Sequence, residues 1–406
     1  MKIVHIEDFF HPDAGYQVNL LAKFMAKKGH KVTVVSSDLS LMPEDLKEFF
    51  GSHDLKEKDR NFQKLYQVKI IRVPIRKIIS RRAVLSGDFF TVVKDEHPDF
   101  VFVHNHDSLT GMRYLLKRKH MPYPFMMDSH MLEMASCNRF HRAFRIFYKA
   151  VFTPVIKREQ IVVVRTQNNP FVKKCLGVPL KLAPWVSTGS DTTIFKPDCE
   201  AGLRFRRRNG IEDDSFVVVY AGKLDETKGG MFLADALMTK LESKRKIIFI
   251  IVGTIKGEYG EKLERKFRAG QNQILRFPAQ KYVDLPEFFQ ASDLCIFPRQ
   301  CSLTFYDAQA CALPVLFEDN DVNRTRISNE NAKIFKAGSA ADFRMRILEY
   351  ASLNTSDYKR IRNQALKYAG ENFDYSSITD RYLEIMNKVI IAYEKQVNLK
   401  RGRKNG

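Results

Sequence analysis

No apolar run in the 406-residue chain approaches the roughly 20 residues that a membrane-spanning helix needs; the longest, around Ile247–Val252, has the length of a strand. The six cysteines, at positions 137, 175, 199, 295, 301 and 311, form no C-x-x-C pair and no Cys/His ligand spacing. That excludes a structural zinc site of ordinary spacing and favours a reducing compartment. The chain has neither a short internal repeat nor a low-complexity block, which excludes a repeat architecture. Its first residues, MKIVHIEDFF, bring Glu7 and Asp8 in too early for a signal peptide and read as a buried strand. The expected location is cytoplasmic, peripheral on the inner face of the membrane at most.

Hydrophobic residues make up 44% and charged residues 28% of the chain, the balance of a soluble globular protein. A chain of 406 residues exceeds one ordinary core, so two domains of roughly 200 residues each are expected. Lys plus Arg exceed Asp plus Glu by 67 − 47 = 20. Such a field attracts polyanions, whether nucleic acid, anionic lipid or phosphorylated substrates. The positive charge gathers in residues 72–82, in residues 139–158 and in the tail from Lys400 to Lys404. Segment 139–158 interleaves Phe140, Phe144, Phe147 and Phe152 with basic side chains. This suits contact with an anionic membrane surface; the same aromatic spacing also suits packing into a core. No RNA- or DNA-binding motif accompanies the charge, so nucleic acid is not an expected partner.

Short apolar runs alternate with amphipathic stretches throughout, the signature of parallel sheets covered by helices. In the first half the expected strands are Lys2–Ile6, Lys31–Ser36, Tyr66–Val73, Phe100–Val103, Phe125–Asp128 and Ile161–Val164, with a helix over Gln17–Lys28 closed by Gly29. Residues 42–62 read as a helical insertion or a mobile loop. A second series begins near Asp214, with strands Phe216–Tyr220, Ile247–Val252, Leu275–Phe277, Cys295–Phe297 and Pro314–Phe317 and helices Lys228–Leu241 and Leu285–Ala291. The Pro- and Gly-containing connector Lys181–Cys199 holds the boundary. The expected organisation is α/β: two Rossmann-like, doubly wound domains over residues 1–190 and 191–374. A helix over 375–396 packs back toward the first domain, and a basic tail follows over 397–406.

Tandem domains of this kind imply a cleft at the C-terminal edges of both sheets. In FVVVYAGKLDETKGG a buried strand runs into Gly222, which lets backbone approach a ligand, and Lys223 leaves the strand's end. Lys228 stands at the start of the next helix. Two ammonium groups and a helix N-terminus suit a diphosphate; two solvated lysines beside a turn would give the same spacing. In PRQCSLTFYDAQACALPV, Ser302 can cap a helix over Leu303–Cys311, so that N–H groups near Leu303 and Thr304 face a ligand. Asp307 falls on the same helical face and can accept both hydroxyls of a ribose.

Read together, YAGKLDETKGG and SLTFYDAQACALPV resemble the C-terminal domain of the family 4 (GT4) retaining glycosyltransferases, which have the GT-B fold. HPDAGYQVNLLAKFMAKKGHKVTVVSSD, PDFVFVH, MMDSH and VSTGSDTTIF are similar to that family's further segments, in the same order over about residues 1–390. The resemblance implies roles. Gly15 would approach the donor phosphates, and His130 would lie beside the transferred sugar and the acceptor. Lys223 and Lys228 would hold the diphosphate, and Asp307 the ribose. It also implies transfer from a nucleoside-diphosphate sugar with retained anomeric configuration and without cofactor or metal. No Asp-x-Asp triplet reads as placed at a strand end. The acceptor would be a glycan or lipid-linked glycan, in polysaccharide, lipopolysaccharide or glycolipid synthesis.

The chain departs from the family's pattern at several positions. Arg299 stands where the first Glu of Glu-x7-Glu is usual, and makes a further candidate donor contact. Lys223 replaces an Arg, Asp307 the second Glu, Ala14 and Ala312 common glycines, and Thr188 an Asn. Rival readings are a nucleotide-sugar 2-epimerase of the same fold, which needs paired carboxylates, an inactive partner subunit, or a basic binding protein.

Overall fold

The computed structural model describes residues 1–42, 54–80, 82–131, 140–255, 257–299 and 303–402. The chain divides into two compact units, Met1–Thr188 with Tyr375–Gly406, and Gly189–Asp374.

In the first unit the elements run β1 (Lys2–Glu7), α1 (Gln17–Lys27), β2 (Lys31–Ser37), α2 (Leu55–Tyr66), β3 (Val68–Val73), β4 (Ile75–Ile79), β5 (Arg82–Leu85), α3 (Phe89–Asp95), β6 (Phe100–Val103), α4 (Leu109–Lys117), β7 (Phe125–Ser129), α5 (His141–Arg158), β8 (Val163–Arg165) and α6 (Phe171–Leu176). Six parallel strands stack in the order β3-β2-β1-β6-β7-β8. The central strands are apolar on both faces because helices cover both, so β1 and β6 read as runs rather than alternations. Gly29, at φ +86°, closes α1 where a Cβ would be strained.

The second unit repeats the plan: α7 (Cys199–Arg208), β9 (Phe216–Ala221), α8 (Gly230–Ala236), β10 (Ile247–Val252), α9 (Gly257–Ala269), β11 (Gln273–Phe277), α10 (Pro286–Gln290), β12 (Leu294–Phe297), α11 (Thr304–Ala310), β13 (Val315–Glu318), α12 (Asp321–Arg324), β14 (Ala332–Phe335), α13 (Ala340–Ala351) and α14 (Thr355–Phe373). Its strand order is β11-β10-β9-β12-β13-β14, again all parallel. Two apolar clusters, one on each face, bury β9 and β10 completely. The chain then returns to the first unit through α15 (Tyr375–Gly402). There Tyr382 is fully buried with its hydroxyl on Gln17, and Asp380 pairs with Lys28.

Several sequence expectations need correcting. The helix expected over Lys228–Leu241 spans only Gly230–Ala236, because the Asn272 amide takes the carbonyls of Leu237 and Thr239 and ends it. The final helix continues past Gln396 to Gly402, so the basic tail starts as helix. A sixth strand, β14, completes the second sheet, and β4 and β5 pair as an antiparallel hairpin over residues 75–79 and 82–85, overlapping the basic segment 72–82. Asp319-Asn320-Asp321 does directly follow a strand, β13. Its residues start α12: the Asn320 side chain accepts the Asn323 N–H at 2.9 Å, and Asp319 holds Arg324 at 2.6 and 2.9 Å.

Candidate functional site

In both sheets the order reverses direction at one place, between β1 and β6 and between β9 and β12. Crevices at such switch points, beyond the carboxyl ends of the strands, are where open α/β sheets bind ligands. The residues singled out in the sequence stand at those ends.

In the second unit β9 delivers Gly222 and Lys223. The Gly222 N–H extends the ladder to the Val252 carbonyl at 3.1 Å, and a Cβ on Gly253 would lie 2.1 Å from the Gly222 oxygen. Gly253 is therefore what lets the ends of β9 and β10 close up. Arg276 clamps the same place, donating to the carbonyls of Ile251 and Gly253. The loop that follows is pinned throughout. Tyr220 Oη donates to the Lys223 carbonyl at 2.5 Å. One oxygen of Asp225 accepts Thr227 Oγ1 at 2.6 Å and the Lys228 N–H at 3.0 Å. Arg299 donates to the Glu226 carbonyl at 3.1 Å, and Gly229, at φ +76°, passes so close to Arg299 that a Cβ would come within 2.9 Å of its Cβ. Lys228 thus sits in the loop just before α8, and both lysines are half-buried. Ordering this loop in advance removes an entropy cost from binding.

Thr304 joins this cluster from α11, its hydroxyl donating to the Ala221 carbonyl at 3.1 Å. Leu303 is the residue preceding the helix, which starts at Thr304 without a side-chain cap. Ser302, expected as that cap, lies outside the described residues. Asp307 is buried, and Tyr282 Oη donates to it at 3.1 Å. Burial pushes its carboxyl up to about 7, against the Tyr282 hydrogen bond and with Asp191 adding to the rise. A folded-state value raised above the unfolded one means stability is lost as pH climbs from about 4 to about 7. Asp307→Asn is therefore expected to melt several degrees higher than the parent at pH 8, at roughly 2–4 °C per kcal/mol for a unit of this size, with no gain at pH 4. Melting curves at both pH values check this.

Beside these residues, at the ends of β10 and β11, lies a pocket of about 790 Å³ lined by Gly253, Thr254, Ile255, Arg265, Arg276 and Phe277. It falls within the usual range for small-molecule sites.

In the first unit Gly15 precedes α1, which no side chain caps and whose first turn carries no acid. His130 follows β7 and is one-third exposed; its Nε2 lies 3.4 Å from Asp128 Oδ2. Burial works against a charge on His130, but attraction to Asp128, with Glu7 and Asp107 behind it, wins and holds the ring above its ordinary value. Asp128 also accepts from His104 Nδ1 at 2.7 Å and from the Asn105 N–H at 2.6 Å. His104, Asp128 and His130 bring ligand-type atoms within 4.8 Å of one another, the single such group among the described residues. The 2.7 Å separation between His104 Nδ1 and Asp128 Oδ2 is that of an N–H···O hydrogen bond.

Sequence reasoning missed Glu7 and Asp8, which end β1. Burial, then the neighbouring Glu7, pushes Asp8 up to about 7, and burial raises Glu7 as well. Two acids terminating a buried strand were the available signal. It also missed Asp225, Tyr220 and Gly253, although Asp-x-Thr-Lys-Gly is a legible turn.

Residues 203–368 match the family model described as glycosyl transferases group 1. Among curated proteins, the chain is 23% identical over 250 residues to the UDP-Gal:alpha-D-GlcNAc-diphosphoundecaprenol alpha-1,3-galactosyltransferase of Escherichia coli, covering 59% of this chain and 63% of that one. It is 23% identical over 218 residues to D-inositol 3-phosphate glycosyltransferase 1 of Catenulispora acidiphila, covering 50% and 51%. The alignments thus span less than two thirds of these relatives. Among solved structures, a glycosyltransferase from Rickettsia africae superposes with a TM-score of 0.72 at 15% identity over 96% of this chain and 98% of that one. Anabaena HepE, solved with UDP and glucose, superposes with a TM-score of 0.69 at 17% identity over 95% and 99%. The likenesses and the doubled parallel sheet agree on the fold, a GT-B-type pair of Rossmann-like units, and residues 203–368 of the second unit match a transferase family model.

Proposed function

We propose that the chain is a retaining glycosyltransferase that moves a sugar from a nucleoside diphosphate to a glycan or lipid-linked acceptor at the cytoplasmic membrane face. The observation that carries this reading is the pinned loop Gly222–Gly230, which presents Lys223 and Lys228 at the switch point of the second sheet. Breaking a sugar–phosphate bond leaves charge on the departing diphosphate, and fixed cations lower that barrier. The two ammonium groups supply them, so the proposed reaction needs neither a cofactor nor a bound metal. The pocket lined by Gly253 and Phe277 would take the base and ribose, and Asp307, with its hydrogen-bond partner Tyr282, would border the ribose. The UDP found in HepE supports starting with uridine nucleotides. In retaining transfer the leaving phosphate oxygen takes the acceptor's proton on the same face of the sugar. His130, held above its ordinary value by Asp128, is assigned to the sugar and acceptor hydroxyls. Incubation with UDP-, GDP- and ADP-sugars, with and without a chelator, tests the reading: release of free nucleotide diphosphate supports it, and absence of any turnover or binding opposes it.

The membrane part of the proposal rests on α5. Its buried face is Tyr148, Phe152 and Ile156, while Ile146 (70% exposed), Phe147 (50%) and Val151 (38%) line an outer apolar stripe. Arg142, Lys149, Lys157 and Arg158 are exposed beside it. The buried face agrees with the core reading of this helix, and the outer stripe supports the membrane proposal. Segment 72–82 contributes less than its composition implies, since Arg72 is paired with Asp59 and Arg82 with Asp107; Arg76 and Lys77 are exposed. No helix among the described residues is long and apolar enough to cross a membrane. At about 1 kcal/mol per basic residue near an anionic surface, the triple change Arg142→Glu, Lys149→Glu and Lys157→Glu is expected to weaken binding to phosphatidylserine vesicles by about a hundredfold or more. Unchanged cosedimentation would refute the membrane assignment.

A second reading, a nucleotide-sugar 2-epimerase, has one observation in its favour, the adjacent carboxyls of Glu7 and Asp8 with raised proton affinity. Product analysis separates the two, since epimerisation yields an altered sugar still linked to the nucleotide.

A further inference from the structure

His5 lies in the middle of β1, fully buried, where the strand is otherwise apolar. Its Nδ1 is 3.0 Å from His104 Nε2, and the two rings stack at 5.3 Å. His104, which follows β6, is 3.0 Å from that partner on one side and, through Nδ1, 2.7 Å from Asp128 Oδ2 on the other. The second ring nitrogen of His5, Nε2, is buried without a hydrogen bond. A core position in a central strand costs nothing when filled by Val or Ile, whereas burying an imidazole with an orphan nitrogen costs free energy. The arrangement calls for a purpose other than packing.

We propose that His5, His104 and Asp128 form a hydrogen-bonded chain that fixes the ring orientation and protonation of His130, making all three positioning residues for the proposed transfer. The proposed chain takes His104 as carrying a single proton, which sets the direction of each hydrogen bond. Asp128 is ionised and only accepts, so the His104 proton is on Nδ1. His104 Nε2 then accepts, and the His5 proton is on its Nδ1. That leaves His5 Nε2 as a bare lone pair, a smaller cost than a buried orphan N–H. Donors thus run from His5 to His104 to Asp128, and His130 Nε2 lies 3.4 Å from the same carboxylate. Asn105 N–H holds the second carboxylate oxygen. The attraction of His130 and the hydrogen bond from His104 hold Asp128 well below the usual carboxylate range despite its burial. Burial holds the His5 ring well below its ordinary value and keeps it neutral.

His130 therefore faces an anion on its Nε2 side that cannot swing away, because β1 and β6 brace it. The groups around it are Asp128 on its own strand end, Glu7 from β1, Asp107 after β6, and the Thr166 hydroxyl, 3.4 Å from Nδ1, after β8. All three charged neighbours are carboxyls. A cation so held keeps one face for Asp128 and offers the rest to a hydroxyl or phosphate oxygen. Its value to transfer rests on the reading of His130 given under the proposed function; the chain itself does not, and the experiment separates the two.

Imidazole nitrogen NMR of the full-length chain, without any ligand, reads the tautomers directly. Nδ1–H signals for His5 and His104 are expected; an Nε2–H tautomer at His104 would overturn the chain. The His130 titration is then followed in the parent and in Asp128→Asn. Removal of an adjacent opposite charge should lower its midpoint by roughly 1–3 pH units, and an unchanged midpoint in a folded variant contradicts the proposal. Stoichiometric metal in the purified protein would contradict it as well, since an ion would take the place of the His104 Nδ1 proton. The alkaline limb of kcat/KM, where the His130 cation is lost, should move with the His130 midpoint if it serves the reaction. A shifted NMR midpoint with no change in the rate profile would uphold the chain and remove His130 from the mechanism.

Discussion

Replacing Lys223 and Lys228 together by alanine is expected to abolish the stabilisation that nucleoside diphosphates confer and to cut turnover by at least a thousandfold. The first figure follows from linkage: a ligand at 100 times its Kd stabilises the folded state by about 2.7 kcal/mol. The second follows from the roughly 10²–10³ that a single preorganised donor to a developing anion contributes. The loop itself should survive the change. Its hydrogen bonds come from backbone, Asp225, Tyr220 and Arg299, none of which the substitutions remove. Melting temperature without ligand should accordingly stay within about a degree or two, in keeping with substitutions outside the core. Differential scanning fluorimetry and a coupled release assay measure both effects on the same samples. Parent-like binding by the double variant would show that the diphosphate is held elsewhere.

Gly253→Ala should act in the opposite manner, by damaging the fold first. An added methyl would sit 2.1 Å from the Gly222 carbonyl oxygen, a backbone atom held in the sheet by the Val252–Gly222 hydrogen bond. Relief requires parting the ends of β9 and β10, and overpacking of this kind costs roughly 3 kcal/mol. For a unit of this size that is a fall of about 6–12 °C in Tm. The same displacement moves Lys223, so donor affinity should drop with stability, although no donor contact has been removed. Gly29→Ala offers the comparison: its Cβ meets nothing within 4 Å, and only the positive φ of 86° is strained. It should cost about 1 kcal/mol and leave nucleotide binding untouched. Equal losses from both glycines would argue against close strand ends as the reason for Gly253.

The parts of the fold legible in the sequence are those with a strong local pattern. Both sheets announce themselves because their central strands are buried on two faces and read as unbroken apolar runs, VVVY in β9 and IIFIIV in β10. The β14 strand, AKIF, escaped because it lies at the sheet's edge, half-buried at its middle two residues, with no run to mark it. The hairpin of β4 and β5 escaped because the exposed Arg76 and Lys77 break the apolar pattern of β4. Helix α8 was overextended since its end is set by Asn272, a residue on a later segment that propensity cannot see.

The candidate site divides along the same line. Lys223, Lys228, Gly222 and Thr304 were legible as a pattern, and the structure brings their segments together through Ala221, Gly229 and Arg299. What holds them there depends on tertiary contacts. Arg299 reads in the sequence as an acid replaced by a base; in the fold it is a brace for the lysine loop, reaching the Glu226 carbonyl. Asp307 reads as an available carboxylate, yet it is buried against Tyr282 with its proton affinity raised. The histidine chain could not be read at all, because His5 and His104 meet across two paired strands from positions 99 apart in sequence.

The account stands most directly on where a diphosphate binds. A crystal structure of the protein with UDP, or with whichever nucleoside diphosphate gives the largest thermal shift, places that group without further inference. The expected result is phosphate oxygens within hydrogen-bonding distance of Lys223 Nζ and Lys228 Nζ, with the base in the pocket lined by Gly253 and Phe277. Phosphates bound away from both amines, with the loop Gly222–Gly230 unchanged, would contradict it.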